Sequence, residues 1–143
     1  MQATSPFGPR WSALALTAAT VELTLTTAYI HLSLGSMLFT LNAIGYAVLG
    51  ALLAAAAIPH PLIRRFSWLP RVGLAAFTAV TIGAYLVIGP YFVLGWVAKA
   101  VEVAILTLLA ADVVRLYGSP AGLVRAAMSS LGRDHARRPM RTA

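Results

Sequence analysis

Four long runs of apolar residues dominate this chain of 143 residues. A helix needs about 20 such residues to cross the hydrocarbon core of a bilayer, and each run is close to that length. Only 10% of the residues are charged, whereas soluble domains carry about 25%. The sequence therefore predicts an all-α integral membrane protein with a four-helix transmembrane bundle in residues 11–117. The predicted spans are 11–34, 37–58, 72–89 and 92–114, preceded by a short segment 1–10 and followed by a basic tail 118–143.

The arginines indicate how the helices are oriented. Every arginine lies at position 10, within the connection 59–71, or from position 115 onward. The connections near Gly35 and Pro90 carry no charge. Because cytoplasmic segments hold an excess of Lys and Arg, both termini are predicted to be cytoplasmic. Residues 120–132 in the tail are predicted to form a short amphipathic helix on the inner leaflet.

The remaining composition narrows the environment of the chain. The chain has a net charge of +7, and its basic residues flank the apolar spans. This arrangement suits binding to anionic lipid rather than to nucleic acid. The absence of cysteine excludes disulfides, thiolate metal sites and covalent c-type haem. Abundant alanine and the preference for arginine over lysine are typical of a GC-rich bacterial genome. We therefore expect a multi-pass protein of the bacterial cytoplasmic (plasma) membrane that binds no nucleic acid.

Small residues recur every four positions in the second span, at Ala43, Ala47, Ala51 and Ala55. Helices associate in lipid through close approach of such residues. This spacing predicts a packing ridge along one face of the second helix.

Charged residues within the spans are the most informative feature for function. Glu22 and Glu102 each lie about ten residues into a predicted helix, at a depth of roughly 15 Å, and Lys99 shares a helix face with Glu102. An intramembrane charge is costly, so these three are predicted to form one cluster near mid-membrane. The cluster is either a proton or cation site or a structural ion pair that sets helix register. Asp112 is predicted to form a surface pair with Arg115 near the inner interface.

The first helix has two polar faces. Thr17, Thr20, Thr24, Thr27 and His31 form one stripe, and Glu22, Thr26, Tyr29 and Ser33 lie on the opposite side. Such a helix is predicted to be covered by protein on both faces, by its own bundle and by another subunit. Further polar residues that are candidates to line the interior are Asn42, Thr78, Thr81 and Tyr85.

His31 is a possible cofactor ligand near the outer end of the first helix. It has the chemistry to ligate haem iron or chlorophyll magnesium, although no second histidine is expected at its depth. The alternative is a hydrogen-bonded histidine at the interface. The sequence contains no metal-spaced cluster, phosphate loop or nucleophile motif. An enzyme is therefore not expected.

These features favour a small accessory or scaffold subunit of a larger membrane complex, of which an energy-transducing complex is one kind. The alternative is a small homo-oligomeric proton-coupled transporter. Four short helices with a membrane-embedded glutamate in the first, here Glu22, resemble the small multidrug resistance exporters, a likeness that implies proton exchange at Glu22. Lys99, the long tail and the 59–71 connection depart from that family. A second alternative is a subunit that binds quinone, haem or chlorophyll.

Overall fold

The computed structural model describes residues 9–132, and in this range every regular element is an α-helix. Four of the helices are long and apolar enough to cross a membrane, which confirms the predicted all-α, four-helix membrane architecture. These four are α1, α2, α4 and α5. The helices are α1 Pro9–Ser33, α2 Met37–Ala55, α3 Pro61–Arg65, α4 Trp68–Ile88, α5 Val93–Tyr117 and α6 Pro120–Gly132.

The four long helices pack in a ring in the order α1, α2, α4, α5. Short connections make consecutive long helices antiparallel, and Gly35 closes the tightest of them with a φ of +70°. Arg64, Arg65, Arg71 and Arg115 lie at one end of the ring, which we call the basic end. The end that holds Gly35 and Pro90 is the charge-free end.

The connection 59–71 is more helical than its prolines predict. Pro61 is the first residue of α3 and Pro70 lies in the first turn of α4. Proline is tolerated at both places because the first turn of a helix needs no intrahelical N–H donors. As a result α4 begins at Trp68 rather than at residue 72, and Arg71 becomes a helical residue whose side chain is buried in the bundle.

Buried Arg71 binds Asp112 of α5, and this contact differs from the predicted surface pair. Arg71 Nε lies 2.7 Å from Asp112 Oδ2, and Arg115 Nη2 lies 2.5 Å from Asp112 Oδ1. Asp112 is only 3% exposed. The pair with Arg115 is therefore present, but the carboxylate lies inside the bundle and neutralises a second arginine.

The predicted amphipathic helix of the tail is present as α6, which packs against α4 and α5. Its last turn is held at Ser130, where Trp68 Nε1 donates to the hydroxyl at 3.0 Å and Arg65 Nε donates to the carbonyl at 2.9 Å. A basic side chain is favourable there because the last carbonyls of a helix lack intrahelical donors.

The alanine ridge predicted for α2 is wrong. The buried residues of that helix are Ala43, Tyr46, Gly50 and Leu53, and Ala51 is exposed. Close approach occurs instead at Gly50, where a Cβ would lie 3.2 Å from the Thr24 methyl group of α1. The polar stripe of α1 and the Tyr46 ring, rather than a regular small-residue repeat, decide which side of α2 faces inward.

The orientation predicted from the arginines can be tested because the chain has no native cysteine. Single cysteines at exposed Ser129 of α6 and exposed Met37 at the charge-free end mark the two sides. With a membrane-impermeant maleimide on spheroplasts, we expect Met37→Cys to react at once and Ser129→Cys only after permeabilisation. The reverse pattern would contradict the positive-inside assignment.

Asp112 is expected to be essential for stability. Asp112→Asn keeps the shape of the side chain but leaves buried Arg71 without its counter-ion, which costs about 3 kcal/mol or more of unfolding free energy. Denaturation in detergent, followed by loss of helical circular dichroism, measures this change. Arg125→Gln, at an exposed position of α6, is the control and should leave stability unchanged. Equal stability of the two variants would argue against a structural role for the carboxylate.

Candidate functional site

The candidate site is centred on the Glu102 carboxylate, which is fully buried between the long helices. Lys99 Nζ lies 2.5 Å from Glu102 Oε2, an ion pair across one helical turn of α5. Thr81 of α4 lies 3.2 Å from the same oxygen. The other oxygen, Oε1, lies 3.7 Å from His31 Nε2 of α1. Side chains from α5, α4 and α1 thus meet at one carboxylate.

A hydroxyl pair extends this group to α2. The Tyr46 hydroxyl is 2.7 Å from Thr81 Oγ1, and both side chains are buried. Thr81 Oγ1 is also 2.9 Å from the Thr78 carbonyl. Because a threonine has one hydroxyl proton, it donates either to Thr78 or to Glu102 and accepts from Tyr46. We call Glu102, Lys99, His31, Thr81 and Tyr46 the buried ionic cluster.

His31 is held by its own helix. Its Nδ1 lies 2.8 Å from the Thr27 carbonyl oxygen one turn earlier. Its ring packs against Tyr46 and Phe39, with centroid separations of 5.5 and 6.0 Å. Ligation of haem iron or chlorophyll magnesium would require His31 to give up its contact with Thr27 or with Glu102. Nδ1 is thus hydrogen-bonded, Nε2 faces Glu102 beyond hydrogen-bond distance, and the role of His31 as a cofactor ligand stays a prediction.

Lys99 has an aromatic neighbour as well as a carboxylate. Its ammonium lies 5.4 Å from the centroid of the Tyr85 ring, within the range of a cation–π interaction. The Tyr85 ring crosses α5 at Gly95, where a Cβ would lie only 2.5 Å from the tyrosine hydroxyl. Glycine at position 95 therefore allows α4 to place this ring beside the lysine.

A cavity of about 280 Å³ lies between the cluster and the charge-free end. Its wall includes the polar side chains of His31, Asn42, Thr81 and Lys99. The rest of the lining is largely apolar and aromatic, and no acidic residue is among the described lining residues. An apolar cavity with a few convergent polar groups is the usual form of a small-molecule site.

Glu22 lies apart from the buried ionic cluster. The structure brings Lys99 and Glu102 together but places Glu22 on the exposed side of α1. Glu22 and His31 are nine residues apart, which at about 100° per residue puts them on opposite faces of the helix. Since His31 faces Glu102, Glu22 faces outward. The similar depth of the three residues predicted one cluster of three charges. The rotation of α1 separates Glu22 from the other two.

The predicted polar lining falls into two groups. Thr81 and Tyr85 are buried and line the cavity, and Asn42 lines it from α2. Thr78 is fully buried below the cavity, where its hydroxyl has no hydrogen-bond partner in the described part of the chain. Tyr46 was absent from the sequence-based candidates. Its signal was its position in an apolar span, since a buried tyrosine hydroxyl usually requires a polar partner.

No protein-family model, curated protein or solved structure matches this chain. The fold and the contacts of the described residues are therefore the basis on which its role is inferred.

The Lys99–Glu102 pair is expected to behave as one unit. Lys99→Met or Glu102→Gln alone leaves an uncompensated buried charge and should lower the unfolding free energy by about 3–5 kcal/mol. The double variant carries neither charge and should lose clearly less than the sum of the single losses. Denaturation of all four proteins in one detergent completes this cycle. Additive losses would show that the two side chains do not interact.

Proposed function

We propose that this chain is an accessory or scaffold subunit that binds a partner membrane protein through the outer face of α1. The supporting observation is the exposure of Glu22 at the centre of a membrane-spanning helix. Trp11–Ser33 is the apolar span of α1, and Glu22 is its middle residue. An ionisable side chain at the bilayer centre costs about 2.5–3.5 kcal/mol even on translocon-based scales, so such groups normally face protein.

Other polar groups share this face. Thr26, Tyr29 and Ser33 are exposed on the same side of α1, and Tyr29 is 73% exposed. Together with Glu22 they form what we call the Glu22 face. A shallow groove beside it is lined by Ala18, Val21 and Leu25 as well as by Glu22, Thr26 and Tyr29. Small and polar residues are what a second transmembrane helix packs against in lipid.

The chemistry of Glu22 favours a partner that carries Lys or Arg at the same depth. This chain does not supply such a cation to a second copy of itself from its described residues. Lys99 is buried and paired with Glu102. Arg64, Arg65, Arg71 and Arg115 lie at the basic end, far from the depth of Glu22. A symmetric dimer through the Glu22 face would place two carboxyl groups together, where they could not both ionise. A heteromeric partner neutralises the charge directly.

This role assigns the protein to a complex in the cytoplasmic membrane of a bacterium, with lipid and other membrane subunits as its partners and without enzymatic chemistry. In this role the buried ionic cluster is structural. It fixes how the helices pack and holds α1 in the rotation that turns Glu22 outward.

A homo-oligomeric proton-coupled transporter is the second candidate. The carboxyl group beside a groove on the Glu22 face supports it, because two copies sharing one proton there would form a site that exchanges protons for a substrate. In this case the Glu22 side chains of two copies face each other across the interface, whereas in the heteromer Glu22 faces a cation of the partner.

Photocrosslinking in native membranes tests the proposal. A photoreactive amino acid at Thr26, on the Glu22 face, is compared with the same probe at Val48, an exposed position of α2. We expect an adduct of defined mass from Thr26 alone. Glu22→Leu should abolish it, whereas Thr107→Val, which removes an exposed hydroxyl of α5, should leave it intact.

The mass of the adduct separates the two candidates. An adduct with a different polypeptide supports the subunit role, and a charge swap between Glu22→Lys and the partner's basic residue changed to Glu should restore binding. An adduct at twice 15.1 kDa would indicate a homodimer and support the transporter. Equal labelling at Thr26 and Val48 would contradict both.

A further inference from the structure

We propose that the cavity above the buried ionic cluster binds an amphipathic monocarboxylate of the fatty-acid class, with the carboxylate at Lys99 and Asn42 and the chain directed into the bilayer. This site lies on the opposite side of α1 from the Glu22 face, so it does not depend on the proposed assembly.

The first step concerns the proton of His31. The Thr27 carbonyl oxygen can only accept a hydrogen bond, so Nδ1, at 2.8 Å from it, carries a proton. The other nitrogen, Nε2, faces Glu102 Oε1 at 3.7 Å, a separation too long for a hydrogen bond. His31 therefore offers no N–H group to the cavity, and the donors for a ligand come from Lys99 and Asn42.

The second step is the charge that faces the cavity. Lys99 lines the cavity, whereas its counter-ion Glu102 does not, and no Asp or Glu is among the described lining residues. The wall therefore presents an ammonium group and no carboxylate, so it favours an anionic ligand.

The third step is the position of the unused donors. Lys99 has three N–H donors, and its hydrogen bond to a side chain is the one to Glu102. Lys99, His31 and Asn42 all line the cavity. A ligand carboxylate placed there accepts from the ammonium and from the Asn42 amide.

The fourth step is the route to the site. Three lining side chains, Leu38 of α2 and Val80 and Ile88 of α4, are 64%, 69% and 79% exposed. They belong to membrane-spanning helices, so the opening between them faces lipid. A volume of about 280 Å³ holds a headgroup and the first part of an alkyl chain, and the rest of the chain extends through this opening. A lipid-soluble acid fits the cavity because its carboxylate can bind at the polar end and its alkyl chain can leave through the apolar opening.

Tryptophan quenching in nanodiscs of neutral phosphatidylcholine tests this site. Trp96 packs on Tyr85, a cavity residue, with a centroid separation of 5.5 Å. In a Trp11→Phe, Trp68→Phe background it is the sole tryptophan. A dibrominated stearic acid is titrated into the protein, with its methyl ester as the uncharged control. We expect saturable quenching by the acid on top of the linear quenching that the ester produces from bulk lipid.

Two variants link this binding to Lys99 and Asn42. Lys99→Met with Glu102→Gln removes both charges while keeping the side-chain volumes, and the affinity for the acid should fall by about tenfold or more. Asn42→Leu removes the second donor of the cavity wall and should weaken binding in the same direction. Circular dichroism and gel filtration verify that each variant is folded. Equal quenching by acid and ester, or full saturable binding in the folded double variant, would overturn the proposal. The proposal would also be overturned if an uncharged quinone such as decylubiquinone displaced the acid and bound the original protein and the double variant with equal affinity.

Discussion

The Glu102 carboxylate is the charge around which the four membrane-spanning helices meet. Lys99 reaches it from its own helix α5, Thr81 from α4 and His31 from α1, and Tyr46 joins from α2 through the Thr81 hydroxyl. In lipid the hydrophobic effect gives helices little reason to choose one neighbour over another, because the tails are as apolar as the side chains. An unpaired carboxylate is costly in every alternative packing. The cluster therefore fixes the rotation of each helix, and the cavity, the Tyr85 platform and the outward direction of Glu22 follow from that rotation.

The basic end follows the same rule with a different pair. Asp112 neutralises Arg71 from α4 and Arg115 from α5, so it ties two neighbouring helices together nearly three turns beyond Glu102. Two buried carboxylates at different depths of α5 thus set both the rotation of that helix and its position along the bundle axis. The tail adds a third polar tie, since Arg65 and Trp68 hold the last turn of α6 at Ser130.

Length and polarity were sufficient to predict the four helices, because a bilayer imposes both on any chain that crosses it. Pairing of Lys99 with Glu102 followed from their spacing on one helix. The position of Glu22 did not follow from the sequence, because depth is read from residue counts whereas rotation is decided by contacts between helices. Arg71 was placed in a loop for a related reason. The connection 59–71 contains three prolines, which usually break helices, although Pro70 falls in the first turn of α4, where proline is allowed. The alanine spacing did not predict the packing face of α2 because small residues are abundant in this chain. The hydrogen bond between Tyr46 and Thr81 instead turns the Tyr46 side of α2 inward.

The contrast between the two glutamates explains why the proposed interface rests on Glu22 and not on the apolar surface. Exposed leucines and valines cover most of the outside of this bundle, and in lipid such residues are at home whether or not a partner covers them. Glu102 and Asp112 show that this fold surrounds its other intramembrane carboxylates with cations and donors from several helices. Glu22, at the centre of its span, receives no comparable group from its own bundle within the described residues, and Thr26 contacts only its backbone carbonyl, at 2.9 Å. This contrast is the reason why the proposed interface takes the counter-group of Glu22 from a neighbouring subunit.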